Sequence, residues 1–122
     1  PAVVAGNAVV VLASEFDPRT AVVFAEALAT SDMPAGVVNL LTGYRNEIIP
    51  VMAKHMDVNA IVVPSGDPQL RELVERESAE NVKRVRLYPV RSREEWFAPS
   101  AQSLDEIAQF CEIKTIWHPA GV

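Results

Sequence analysis

Cysteine is nearly absent: Cys111 is the single one among 122 residues. It cannot form an internal bridge, and no CxxC or Cys/His ligand spacing exists. Neither a disulfide framework nor a structural metal site is therefore expected, and the expected compartment is the reducing cytoplasm. No apolar run approaches the roughly 18 to 20 residues of a membrane span, and no basic-apolar-small leader opens the chain. A soluble chain without membrane association is expected. Clustered Lys and Arg are missing as well: the net charge is −5 with both signs interspersed, which weighs against nucleic acid, because backbone phosphates reward a basic stripe. His55 and His118 have no Ser, Cys or second ligand at useful spacing and read as surface or cap residues. The chain opens on PAVVAGN without a capping or polar lead-in, which reads as a piece of something longer.

What is present is a repeated grammar. Three short apolar runs, Ala8 to Leu12, Val37 to Leu41 and Ala60 to Val63, are each followed by a turn and then a stretch with helical spacing. Runs apolar on both faces fit strands of a parallel sheet covered on both sides. Asp17-Pro18 and Asp67-Pro68 each set a capping carboxylate before a proline, the signature of a helix start. Val22, Ala25, Leu28 and Ala29 follow the first, and Leu70, Leu73 and Val74 follow the second, where Arg71/Glu75 and Glu72/Arg76 are spaced as i,i+4 ion pairs. A middle helix is expected over about 46–55, with Pro50 tolerated in its first turn. Val82 to Tyr88 alternates Lys83, Arg84 and Arg86 with Val85 and Leu87, a half-exposed or edge strand ended by Pro89.

One domain's worth of chain of this pattern predicts an α/β fold: a three-layer, open, mostly parallel Rossmann-like sheet with helices on both faces, plus a short C-terminal helix and strand. The core covers 1–89, a linker loop 90–102, and the C-terminal helix and strand 103–122. Ser103-x-x-Glu106 predicts a capping box there, and Glu112 to His118 a terminal strand.

PAVVAGNAVVVLASEFDPRTA, DMPAGVVNLLTGY, HMDVNAIVVPSGD and VKRVRLYPVRS resemble, in order, the blocks PAL-x-x-GN-x-VV-x-KPSE-x-TP-x-TA, GLPPGVVN-x-x-x-GxG, H-x-x-V-x-x-I-x-FTGST and LKRVTLELGGK of the NAD(P)-dependent aldehyde dehydrogenases. The likeness covers about 1–92 and is to their cofactor-binding domain. SLDEIAQFCEIKTIWHP is similar to the family's oligomerisation arm. About ten loop residues stand where a full-length enzyme has its catalytic domain.

The resemblance implies that Ser14, Glu15, Gly43, Ser65 and Gly66 stand at cofactor-binding positions, with NAD or NADP as the cofactor of an intact groove. Glu15 matches the carboxylate of the ribose clamp, but Leu12 replaces its lysine and Ala13 the adjoining proline. Arg45 and Ile49 stand at glycine positions, so a filled groove is expected, with Ile49 occupying it. Asp67 sets a carboxylate at the mouth where a pyrophosphate would meet a helix N-terminus. Tyr88 stands for the general-base glutamate, Val90 and Arg91 for the glycines after it, and Cys111 aligns with a threonine of the arm. No catalytic residue is assigned and no cofactor is certain.

The expected function is a catalytically inactive fragment serving as an assembly or vestigial nucleotide-binding module. It would self-associate, or join a related full-length chain, through the C-terminal strand. The alternatives are a domain holding a nucleotide other than NAD and a part of a longer active aldehyde dehydrogenase. A flavodoxin-like signalling domain would need acidic residues at strand ends, where only Glu15 and Asp67 lie near.

Overall fold

The computed structural model describes residues 1–119. Among the described residues are four strands and five α-helices, the first seven elements in the expected order: β1 (Val9–Leu12), α1 (Arg19–Ala29), β2 (Val38–Leu41), α2 (Arg45–Lys54), β3 (Ala60–Pro64), α3 (Pro68–Ser78), β4 (Arg84–Tyr88), α4 (Arg93–Phe97) and α5 (Leu104–Ala108). All pairing is parallel, with Val9 opposite Val38 and Ala60 opposite Arg84 at the start of each register. The strands do not form one open sheet. They form two pairs, β1-β2 and β3-β4. Class and strand direction follow the sequence; the single three-layer sheet is replaced by two short parallel ladders.

The core lies almost wholly in the second half. Ile49 and Ala53 of α2, Ile61 and Val63 of β3 and Val74 of α3 form one buried cluster, with Leu12, Met52, Leu70, Leu73, Val85 and Leu87 packed around it. Alternation along β3 explains the placement: Ile61 and Val63 turn toward α2 and α3, while Val62 faces the open side. No residue of α1 is buried, and Val22, Val23 and Phe24 are exposed on it.

Helix starts divide in the same way. Asp67 caps α3 as its sequence implies, accepting from the Gln69 and Leu70 N–H groups at 2.9 and 3.5 Å. The equivalent Asp17 is one step displaced: α1 has Pro18 at its N-cap and no side-chain cap, and Asp17 instead grips the Arg19 guanidinium at 2.8 Å. Pro50 is the sixth residue of α2, not in its first turn, so the Asn46 carbonyl has no i+4 N–H to accept. The two i,i+4 pairs on α3 are not formed among the described ion pairs. Glu77 instead takes Arg76 and, from α2, Lys54, both at 3.0 Å.

Lys83 is the exception to outward-facing charge. It is buried, and its ammonium donates to the carbonyls of His55 (2.7 Å), Val58 (2.6 Å) and Met52 (3.4 Å), closing the end of α2. Burial lowers its pKa from the ordinary lysine value. Val82, just before it, holds a left-handed φ of 54°, a conformation a β-branched residue rarely adopts.

The C-terminal part departs from expectation twice. Within the 90–102 stretch, Ser92 and Glu95 make a reciprocal capping box that starts α4. The Ser103–Glu106 box does not form, because the Glu106 carboxylate is drawn to Tyr88 and Arg91. Glu112 to His118 is not a strand: these residues are exposed and outside regular structure. A strand needs a ladder partner, and none lies beside them among the described residues.

Candidate functional site: the crevice at the carboxyl ends of the strands

Three turns leave β1, β2 and β3 at one end of the molecule, the end where α/β folds bind ligands. Ser14, Glu15 and Phe16 come from the first, Gly43, Tyr44 and Arg45 from the second, and Ser65, Gly66 and Asp67 from the third. The first two turns and Asp67 border a depression of about 510 Å³ that includes Glu15, Phe16, Tyr44, Arg45 and Asp67. Below it a longer cleft of about 830 Å³ runs between β1 and β3, with Ser14 and Ser65 at its rim. Thus Glu15 borders both spaces, Ser14 and Ser65 border the cleft, and Gly43 and Gly66 shape the adjoining turns.

Glu15 is held by Arg45. Its carboxylate accepts from the Arg45 backbone N–H at 3.0 Å and from Nε at 2.9 Å. The backbone hydrogen bond, together with the guanidinium, lowers the Glu15 pKa below the usual carboxylate value despite some desolvation. Arg45 also lies 5.9 Å from the ring centroid of the exposed Phe16. The cation beside Glu15 thus comes from a different element, 30 residues on. No local pattern signals that partnership, since only the meeting of the β1 and β2 turns brings the two together.

The serines serve their own turns. Ser14 Oγ accepts from the Phe16 N–H at 3.3 Å, and Ser65 Oγ, buried, accepts from the Asp67 N–H at 3.1 Å. Asp67 in turn takes the first N–H groups of α3, the donors a phosphate at that mouth would need. Gly43 has φ 156°, and a β-carbon there would lie 2.5 Å from Cδ1 of Ile48. Gly66 has open space around it. Ile49 was expected to fill the groove; it is buried in the core and forms part of the cleft floor, while Ile48 covers the Gly43 turn.

Tyr88, at the end of β4, belongs to a polar network. Its hydroxyl lies 2.9 Å from Glu106 and 2.8 Å from Gln109, and the Arg91 guanidinium stacks 4.3 Å above its ring and 5.0 Å from that of Trp96. Burial and the neighbouring Glu106 carboxylate raise the phenol's pKa. For Glu106, burial alone would raise the pKa, but hydrogen bonds from Tyr88 and Arg91 leave it lowered. This is a fastening between β4 and α5, and a phenol so held is no proton acceptor at neutral pH. Cys111 is exposed, with its carbonyl bonded to Arg84 at the amino end of β4, the far end from the crevice. Among the described residues no group of three His, Cys, Asp or Glu is placed to hold a metal ion, and no helix is long and apolar enough to cross a membrane.

Parallel βαβ units with turns gathered at their carboxyl ends define an α/β module compatible with a Rossmann-like fold. The comparisons then specify it: the model of the aldehyde dehydrogenase family matches residues 1–88, and the chain belongs to that family. It is 39% identical over 87 residues to (Z)-2-((N-methylformamido)methylene)-5-hydroxybutyrolactone dehydrogenase of Acinetobacter baylyi, covering 71% of this chain and 18% of that one. Identity is 32% over 85 residues with the NADP/NAD-dependent aldehyde dehydrogenase PuuC of Escherichia coli, covering 70% and 17%. With aldehyde dehydrogenase 9 of Polyandrocarpa misakiensis it is 31% over 87 residues, covering 71% and 38%. The chain therefore spans well under half the length of these relatives. No solved structure matches it.

Proposed function

We propose that this chain is a non-catalytic module of the aldehyde dehydrogenase family. It is a Rossmann-like scaffold with a vestigial nucleotide groove, working in the cytoplasm and assembling with a second copy or a related longer chain through its C-terminal segment. One observation carries the reading: the polar groups a dinucleotide would use are engaged inside the chain, Glu15 by Arg45 and the α3 N-terminus by Asp67. The chemistry points the same way. Aldehyde oxidation needs an activated nucleophile and a base. Here Tyr88 is fixed as a hydrogen-bond donor, and Cys111 lies at the opposite end of the sheet from the crevice.

Calorimetric titration with NAD+ and NADP+ tests this. No saturable heat is expected up to about 1 mM ligand, the weak limit of useful affinity. A dissociation constant below that value for either dinucleotide overturns the vestigial groove.

A second reading, binding of a nucleotide other than NAD, is favoured by Arg45 beside Glu15, with the exposed rings of Phe16 and Tyr44 at the same mouth. An exposed ion pair contributes little, so a ligand offering hydroxyls and an anion would compete with it at small cost. Saturable heat with ATP or GTP, but not with NAD+, selects this reading. A third, service within a longer active aldehyde dehydrogenase, is supported by the small share of its relatives that the chain spans.

A further inference from the structure

We infer that α1 is a self-complementary docking face, on which a second copy of this chain lays its own α1 antiparallel, about a two-fold axis at the level between Val22 and Val23. This goes beyond the assembly reading above, which uses the C-terminal segment; the contact lies on a different element.

α1 meets β2 with Ala21, Ala25 and Leu28, its partly covered residues. The larger apolar side chains between them have little cover: Val22, Val23 and Phe24 are 48%, 64% and 54% exposed. A helix apolar on nearly every side is ordinarily buried, so the outer side of α1 calls for a partner.

The charges of α1 specify which partner. Arg19 is its first residue and Glu26 stands in its last turn, with no acid in the first turn and no base in the last. Both stand against the helix macrodipole, which favours carboxylates at the amino end and cations at the carboxyl end. Asp17 offsets Arg19 in part, holding Nε at 2.8 Å and Nη2 at 3.0 Å, and leaves the Nη1 hydrogens free. The Glu26 carboxylate is in no ion pair among the described residues.

Arg19, Val22, Val23 and Glu26 follow the i, i+3, i+4, i+7 spacing of one helix face, with a charge at each end and the valines between. Laid antiparallel on its own copy, this face sets Arg19 opposite the partner's Glu26 and Glu26 opposite the partner's Arg19. Each misplaced charge then lies over the end of the partner's helix that suits its sign. A parallel pair would instead set like charges against each other. The four valines meet between the two ion pairs; their burial drives association, and the ion pairs fix register and direction. A two-fold contact is closed, so it stops at two chains.

Eleven residues make a helix about 16 Å long, and two such faces bury less than the roughly 1,200 Å² at which stable interfaces begin. A weak dimer is expected, half assembled at about 0.1 to 1 mM chain.

Sedimentation equilibrium of the full chain tests this, with Arg19→Glu and Glu26→Arg made separately. Each reversal suits the macrodipole at its own end of α1, so neither weakens the helix, yet each sets like charges across both ends of the pair. The unsubstituted chain should approach a two-chain mass toward 1 mM, and either variant alone should dimerise at least about tenfold more weakly. An equimolar mixture of the two should regain the dimer, since every facing pair is then opposite in sign. On a Cys111→Ser background, Val22→Cys should oxidise to a covalent two-chain species, because helix axes about 8–10 Å apart put the two Cα atoms roughly 5–7 Å apart. Phe24→Cys, about 200° round the helix from Val22, should not. A one-chain mass for the unsubstituted chain throughout, a mixture that stays at one chain, or crosslinking at position 24 in preference to 22 overturns the α1 pair. A dimer indifferent to both reversals also overturns it, and leaves the C-terminal assembly reading standing.

Discussion

The two halves of the molecule repeat one pattern, strand, Asp-Pro turn, helix, and differ in everything that packing adds. In the half built from α2, β3, α3 and β4, five residues are buried together and the helix is capped by Asp67. In the half built from β1, α1 and β2, α1 has no buried residue and no side-chain cap. The same local grammar thus yields an element in both places but a core in only one. What separates them is the second helix: β3 lies against both α2 and α3, whereas α1 packs mainly along β2.

Truncating equivalent strand positions should expose this difference most strongly. Ile61→Ala is expected to cost about 2–4 kcal/mol in urea unfolding, and the exposed Val10→Ala under about 1 kcal/mol; equal losses would mean that the first half carries a core of its own. Next, Lys83→Met should destabilise by about 1–3 kcal/mol, because three carbonyls around α2's end lose their shared donor. A neutral result in the same assay would show that water replaces the ammonium freely.

The helix caps give a smaller contrast. Asp67→Ala should cost about 1 kcal/mol, while Asp17→Ala, whose carboxylate serves Arg19 instead of a full cap, should cost less. Smallest is the fastening of α5: Tyr88→Phe should lose about 1 kcal/mol or less and speed amide exchange in 104–109 without changing that of β3. Its pH dependence has a defined sign. Because the Glu106 pKa is lowered on folding, its contribution is present above the ordinary glutamate value of 4.5 and is lost as pH falls through the lowered value. Tyr88, raised on folding, favours the folded state up to its ordinary value of 10.0, and that contribution fades as pH climbs through the raised one. Acid unfolding of Tyr88→Phe should accordingly be less steep than that of the unsubstituted chain.

Much of the crevice was legible beforehand. Ser14, Glu15, Gly43, Ser65 and Gly66 fall in turns at the ends of the apolar runs, and the structure gathers those turns at one end of the molecule. How they are used was not legible. Arg45 reads as a bulky residue at a glycine position, and its grip on Glu15 depends on a contact across 30 residues. Ile48 and Ile49 are adjacent and chemically alike, yet one covers Gly43 and the other enters the core, since successive helical positions point about 100° apart. The Ser103–Glu106 motif is locally sound, but two partners outside the helix take its carboxylate away.

By itself the sequence determined the order of strands and helices from β1 to β4, their parallel direction, the α3 cap and the family, because each is written in residues close together or in a motif of fixed spacing. Tertiary structure alone decided that the four strands form two ladders, that the core belongs to one of them, and that Glu15 is answered by Arg45. Those outcomes depend on which faces and edges meet across tens of residues. A period-two or period-3.6 pattern specifies which side of an element is apolar, but not what will lie against it.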